Sequence, residues 1–309
     1  MTSLLVQLSA LGIRPKKGLG QNFLVDPAHR ERIVAAANLT SDDVVLEIGP
    51  GLGVLTELLA AQAGRVIAVE LDDRLIPYLR EQFAAQPHVT IVHEDILKLD
   101  IGYWVSGIGR AQYPIPNPQS PIPHIRYKVV ANLPYYITSA VIRHLLEASH
   151  PPDLLVLTVQ REVAERMVAA PPEMSLLALG VQFYCMAEIL GRIPAAAFYP
   201  APKVDSAVVR LTRRAAPAVP GVPAAAFFGV ARAGFSQPRK QLRNSLAAGL
   251  GVTPAQAAGW LGAAGIAPQR RAETLTLAEW GALARKIDGK GTSPDLTGFR
   301  GHFSTYIHL

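Results

Sequence analysis

The chain has 309 residues, half of them hydrophobic and 17% charged, which excludes a disordered polymer and leaves room for two domains. Its single cysteine, Cys185, excludes an internal disulfide and fits a reducing, cytoplasmic setting. The start lacks a basic segment and no uncharged apolar run reaches membrane-spanning length, so neither a cleaved signal nor a membrane partner is expected.

The net charge of +6 is unevenly placed. Residues 1–212 carry 18 basic and 20 acidic side chains, a net of −2, whereas 213–309 carry 12 and 4, a net of +8. That is the pattern of a near-neutral body with a basic part facing a polyanion, or of a solubilising surface.

In chain order, residues 13–25 are basic and end in Gln21-Asn22-Phe23-Leu24. They read as a plain arm, or as a flap that covers a ligand and touches phosphate with Lys16 and Lys17. Asp26 before Pro27 predicts an N-cap with proline at the first helical position, opening a helix to about Asn38. The pattern then predicts strand 43–48, helix 53–63, strand 65–70, helix 72–85 and strand 89–93. Such alternation implies an α/β fold with a parallel sheet, helices on both faces and a ligand at the carboxyl ends of the strands.

Glu47-Ile48-Gly49-Pro50-Gly51-Leu52-Gly53 lies at the first of those ends. Its glycines let a tight turn close and a ligand reach the backbone. The spacing G-x-G-x-G differs from the dinucleotide pattern G-x-G-x-x-G. With an acid ahead of it and no phosphate-seeking residue, the loop favours a nucleoside-like cation such as S-adenosylmethionine. A turn that only packs helix on sheet is the alternative. Glu70 ends the next strand, where a carboxylate suits a ribose diol. Asp95 follows the third, placed to accept from an adenine amino group or to cap a helix.

Residues 101–126 are proline-rich and read as a surface insertion. Strand 127–131 then delivers Asn132-Leu133-Pro134-Tyr135. A side-chain amide, backbone carbonyls and an aromatic face arrive together, a set that can accept both hydrogens of an exocyclic amine and stack on its base. Further elements are predicted at 138–147 (helix), 153–160 (strand), 160–169 (helix), 176–192 (helix into strand) and 206–212 (strand). Phe198, ahead of the last strand, is placed to close the other face of a flipped base, or to be a core aromatic. After the 215–221 linker the pattern is all helical, at 223–234, 236–249, 254–264 and 276–287. Arg239, Lys240 and Arg243 are its candidate RNA contacts, and 288–309 reads as a loosely held tail. No His/Cys cluster suggests a metal.

Taken together, Gly20 to Leu24, Glu47 to Gly53, Asn132 to Thr138, Phe198 to Val209, Phe235 to Leu246 and Arg271 to Leu275 resemble the ribosomal RNA adenine dimethyltransferases, most closely the bacterial small-subunit branch. The resemblance implies a class I S-adenosylmethionine-dependent methyltransferase domain, Rossmann-like with a seven-stranded sheet, over 1–213. It implies a small all-helical domain over 214–287 that contacts RNA, followed by the tail. Asn22, Leu24, Gly49, Gly51, Glu70, Asp95 and Asn132 would contact the cofactor, and Asn132, Leu133, Pro134 and Tyr135 would hold the target adenine. The implied reaction is dimethylation of N6 on two adjacent adenines near the 3′ end of small-subunit RNA, by a monomer acting on the immature small ribosomal subunit. The chain departs from the family at the longer 101–126 loop, at the shortened 170–174, at Pro238 where a basic residue is usual, and in its tail. The large-subunit, macrolide-resistance type of enzyme and a non-catalytic RNA-binding assembly factor remain as alternatives.

Overall fold

The computed structural model describes residues 4–105 and 126–288. The 106–125 part of the proline-rich loop, the tail from 289 and the Lys17 side chain lie outside the described residues.

Among the described residues nine strands form: β1 (Phe23–Leu24), β2 (Val44–Ile48), β3 (Arg65–Glu70), β4 (Val89–His93), β5 (Tyr127–Asn132), β6 (Leu154–Gln160), β7 (Cys185–Ile193), β8 (Phe198–Tyr199) and β9 (Ser206–Arg213). Seven make one sheet in the order β4-β3-β2-β5-β6-β9-β7. Its centre is parallel, and β9 runs antiparallel to β6. Val45, Leu46, Val66, Ile67, Val129 and Leu155 are fully buried. Strands covered on both faces need such continuous apolar runs, which is why the pattern announced them.

Register positions the site. Ile48 pairs with Val69 on one side and Ala131 on the other. The next residues, Gly49, Glu70 and Asn132, therefore leave the sheet side by side. The chain moves outward from β2 through β3 to β4 and returns to β5 on the other flank of β2, so a crevice opens between them. Because β9 is antiparallel, it starts where its neighbours end, and Ser206 pairs with Gln160 at this same edge. The two-residue strands β1 and β8 pair antiparallel, Phe23 with Tyr199 and Leu24 with Phe198, which no sequence pattern announced.

The helices of the first unit include α1 (Leu4–Ala10), α2 (Pro27–Ala35), α3 (Val54–Ala60), α4 (Ile76–Gln82), α5 (Ile101–Val105) and α6 (Thr138–Leu146). Asp26 caps α2 as expected, its Oδ1 accepting the Ala28 N–H at 2.9 Å. Then come α7 (Arg161–Met167), α8 (Leu176–Tyr184), α9 (Ala224–Phe235), α10 (Leu242–Leu250), α11 (Pro254–Ala263) and α12 (Leu277–Asp288).

The chain divides into two compact units, 1–164 with 188–213, and 165–187 with the residues from 214 on. A single cut after 213 does not describe this. Met174, Ala178, Leu179 and Phe183 pack into the core of the helical unit with Phe227, Leu246 and Trp280, and that burial draws 165–187 to it. The helix expected from 236 begins instead at Leu242. The preceding segment is held as a turn, the Ser236 hydroxyl donating to Ala233 O at 2.7 Å and the Ser245 hydroxyl to Gln237 O at 3.0 Å. Pro238 within it has no N–H to give a helix. Among the described residues no helix is long and apolar enough to cross a membrane.

Within the helical unit, Gly249 of α10 faces Ala233 of α9 so closely that an added Cβ would lie 2.5 Å from the Ala233 Cα. Gly249→Ala is expected to lower stability by about 1–3 kcal/mol through overpacking. Urea unfolding checks this, and an unchanged midpoint would contradict the packing.

Candidate active site

At the carboxyl edge of the sheet lies a cleft of about 1030 Å³, its open mouth included. It is lined by the arm residues Gly20 to Leu24, the loop Gly49 to Leu52, Glu70, Asp95 and Asn132 to Ile137. The sequence-predicted cofactor residues Asn22, Leu24, Gly49, Gly51, Glu70, Asp95 and Asn132 are thus brought together, and Leu133, Pro134 and Tyr135 line the same cleft.

The glycine loop is set by backbone geometry. Gly49 sits at φ 70° and Gly51 at φ 60°, the left-handed region that side chains avoid. A Cβ on Gly51 would also press 3.1 Å from the Phe23 ring. Glu70, 6% exposed, accepts the Gly51 N–H at 3.1 Å on one oxygen and the Asp72 N–H at 2.8 Å on the other. Burial raises its pKa while these backbone donors pull it down. Asp95 lines the cleft, and its Oδ1 accepts the Leu97 N–H at 3.0 Å in the turn that follows β4 rather than at the start of a helix.

On the opposite wall Asn132 donates from Nδ2 to the Asn22 carbonyl at 3.0 Å. The Pro134 carbonyl is occupied by the Ile137 N–H at 3.2 Å and the Thr138 hydroxyl at 3.3 Å. The Leu133 side chain is buried and its N–H donates to Thr158 O at 3.1 Å. The Tyr135 hydroxyl meets the fully buried Ser206 Oγ at 2.8 Å, linking the end of β5 to the start of β9 across β6. Burial raises the Tyr135 pKa. Tyr136 is 57% exposed at the mouth, its ring against the backbone of Gly20.

Two expectations change. Phe198 is 4% exposed, belongs to the core cluster of Leu24, Ile33 and Ile193, and is not among the residues that line the cleft, so it is a core aromatic. Lys16, expected to touch phosphate, instead points its Nζ at Asp72 Oδ1, 3.4 Å away. Sequence reasoning missed Asp72 altogether. This carboxylate is fully buried and receives Arg74 Nε at 2.8 Å, Arg74 Nη2 at 2.6 Å and Gln21 Nε2 at 2.8 Å. The Arg74 guanidinium holds it well below the usual carboxylate range. Ser206 was also missed; its place at the first residue of an antiparallel last strand was the available signal.

In the helical unit, Arg239 and Lys240 are exposed and Arg243 is half-buried. Leu242 N–H donates to Arg270 O at 2.7 Å and Arg243 N–H to Pro268 O at 3.3 Å, which fixes the basic turn beside residues 268–270. Arg270 itself is paired with Glu279. Among the described residues no group of three or more His, Cys, Asp and Glu could hold a metal ion.

A family model described as Ribosomal RNA adenine dimethylase matches residues 12–288. The chain belongs to the ribosomal RNA adenine dimethylase family. It is 49% identical over 271 residues to the Ribosomal RNA small subunit methyltransferase A of Dehalococcoides mccartyi strain 195, covering 88% of each chain. It is 40% identical over 283 residues to the protein of that name from Enterococcus faecalis, covering 90% of this chain and 92% of that one. Among solved structures, the 23S rRNA methyltransferase ErmE superposes with a TM-score of 0.64 at 28% identity, over 86% of this chain and all of that one. A dimethyladenosine transferase from Plasmodium falciparum superposes at 0.68 and 24% identity, over 87% and 98%, and shares the fold.

Membership makes the dimethylase an S-adenosylmethionine-dependent enzyme of the class I methyltransferase fold. The lining fits that cofactor in its chemistry: two carboxylates, Glu70 and Asp95, stand at neighbouring strand ends beside a glycine turn that keeps side chains off the backbone.

Behind the loop sits Glu47, 1% exposed, its Oε2 accepting the Thr56 hydroxyl at 2.6 Å and its Oε1 without a partner. Burial pushes its carboxyl up to about 8; the Thr56 bond opposes this and nearby Glu70 adds to it. A raised folded-state pKa contributes stability that is fully present below the unfolded value of about 4.3 and lost as pH rises through about 8. Glu47→Gln removes that loss. Its unfolding free energy relative to wild type is expected to rise between about pH 5 and 8, by up to about 1.4 kcal/mol per pH unit, then level off. Urea unfolding across this range checks it; a pH-independent difference would contradict the buried neutral carboxyl.

Proposed function

We propose that this chain dimethylates N6 of two adjacent adenosines near the 3′ end of small-subunit ribosomal RNA within the immature small subunit. The observation that carries the substrate is the 49% identity over 88% of both chains to a small-subunit enzyme, against 28% to a 23S enzyme. The reading includes a monomer working in the cytoplasm without a metal.

Bound S-adenosylmethionine supplies an electrophilic sulfonium methyl. Glu70 and Asp95 hold its ribose and adenine, with Asn22, Leu24, Gly49 and Gly51 shaping the wall. Adenine N6 is a weak nucleophile because its lone pair is delocalised into the ring. With Nδ2 given to Asn22, the Oδ1 of Asn132 is the end left to accept from N6, and the Leu133 carbonyl takes the second hydrogen. Those bonds favour a pyramidal amine with its lone pair directed at the methyl. Tyr135, its hydroxyl fixed by Ser206, stacks on the base. Catalysis is then positioning and electrostatics rather than proton abstraction by a strong base. Arg239, Lys240 and Arg243, with Lys17, supply phosphate contacts.

The test is incubation with labelled S-adenosylmethionine and immature small or large subunits, followed by mapping of the label. Label is expected at N6 of small-subunit adenines, and Asn132→Ala is expected to slow its appearance on the order of a hundredfold. Label confined to large-subunit RNA would overturn the assignment.

A further inference from the structure

We infer that Asp72 is a positioning residue for methyl transfer, acting on Asn132 through the N-terminal arm. The inference rests on the proposed role of Asn132 as the acceptor for the target amine.

The chain of contacts is continuous. The Asp72 carboxylate is held from its own loop by Arg74, through Nε, Nη2 and the backbone N–H at 3.3 Å. From the arm it receives Gln21 Nε2 at 2.8 Å and Lys16 Nζ at 3.4 Å. Gln21 is engaged at its other end too, its Oε1 accepting the Lys16 N–H at 2.8 Å. The residue after Gln21 is Asn22. Its side chain donates to Gly20 O at 3.1 Å, and its carbonyl accepts Asn132 Nδ2 at 3.0 Å. Gly20 in turn packs on Tyr136 and Pro134, where a Cβ would lie 3.1 and 3.3 Å away.

An amide side chain has a donor end and an acceptor end of nearly the same shape, and only its neighbours decide which way round it sits. Turned over, Asn132 would set its oxygen against the Asn22 carbonyl, acceptor against acceptor. The closed arm therefore commits Nδ2 to Asn22 and leaves Oδ1 for N6. An arm released from Asp72 removes that constraint, and the amide is then free to present the wrong end to the adenine. Asp72 touches no reacting atom. Its effect is carried by Gln21 and the Asn22 carbonyl, so the arm that borders the cofactor cleft also sets the catalytic amide.

Asp72→Asn tests this with no change in size. It replaces one acceptor oxygen by an NH₂ group, which opposes the Arg74 guanidinium in either orientation and one of the two arm donors, Lys16 Nζ or Gln21 Nε2, with it, donor against donor. Gln21→Leu breaks the same link from the arm, at a half-buried position that leaves the Asp72–Arg74 pair in place. The readout is the single-turnover rate of N6 methylation at saturating S-adenosylmethionine, on whichever ribosomal RNA particle the wild-type protein methylates. That choice keeps the outcome independent of the small-subunit assignment. Calorimetry supplies the cofactor affinity of each variant. Each single variant is expected to slow methyl transfer about tenfold, by more than it weakens cofactor binding. In an Asn132→Ala background, where there is no amide to orient, each is expected to change the rate less than about twofold. Either of two results overturns the inference: rates within twofold of wild type for Gln21→Leu, or the full tenfold cost persisting in the Asn132→Ala background. In the second case Asp72 would serve only the fold or the cofactor.

Discussion

The Glu70 carboxylate holds the site together. It ends a buried central strand, and each of its oxygens accepts a backbone N–H from a different loop, Gly51 of the glycine turn and Asp72 of the loop that follows β3. A carboxylate at this depth is costly unless its lone pairs are met. The two loops meet them, and in doing so they are fixed relative to each other. Two residues further on, Asp72 repeats the device toward the N-terminal arm. One corner of three residues thus ties together the turn, the arm and the sheet edge that face the cofactor.

The sheet makes that corner possible. Parallel pairing of β2 with both β3 and β5 brings Gly49, Glu70 and Asn132 out at one edge, so three elements distant in sequence contribute neighbouring groups. The antiparallel β9 adds a fourth, since it begins where its neighbours end. Ser206 is thereby within reach of the Tyr135 hydroxyl. Asn132 consequently stands at a strand end, with Leu133, Pro134 and Tyr135 in the turn that follows it, and its Nδ2 donates to the Asn22 carbonyl of the arm. Methyl transfer to an amine gains from such rigidity, because its rate depends on how the amine is presented.

Most of the sheet and of the cofactor wall was legible in the sequence, for identifiable reasons. Strands buried on both faces must be continuous apolar runs, so β2, β3, β5 and β6 declared themselves. Glu70, Asp95 and Asn132 each follow such a run closely, where a polar side chain has little structural reason to be. What stayed hidden depends on partners far along the chain. Lys16 reads as a free cation until Asp72, 56 positions away, is seen beside it. Phe198 carries no mark that separates a stacking ring from a core ring; its burial with Ile33 and Ile193 decides. The 165–187 segment is apolar enough for either unit, and the aromatic contacts of Phe183 with Phe227 and Phe228 assign it to the helices. The turn before α10 was obscured by helix-forming neighbours of Pro238.

The central claim is that the glycine turn and the arm share one anchor at Glu70 and Asp72. Amide hydrogen exchange in wild type and in Glu70→Ala, without cofactor, tests it most directly. If the anchor is shared, Gly51 and Leu52 lose protection in the variant and residues 19–24 lose it with them, while β2 and β5 keep theirs. Loss confined to the glycine turn, with the arm as protected as in wild type, would contradict the account.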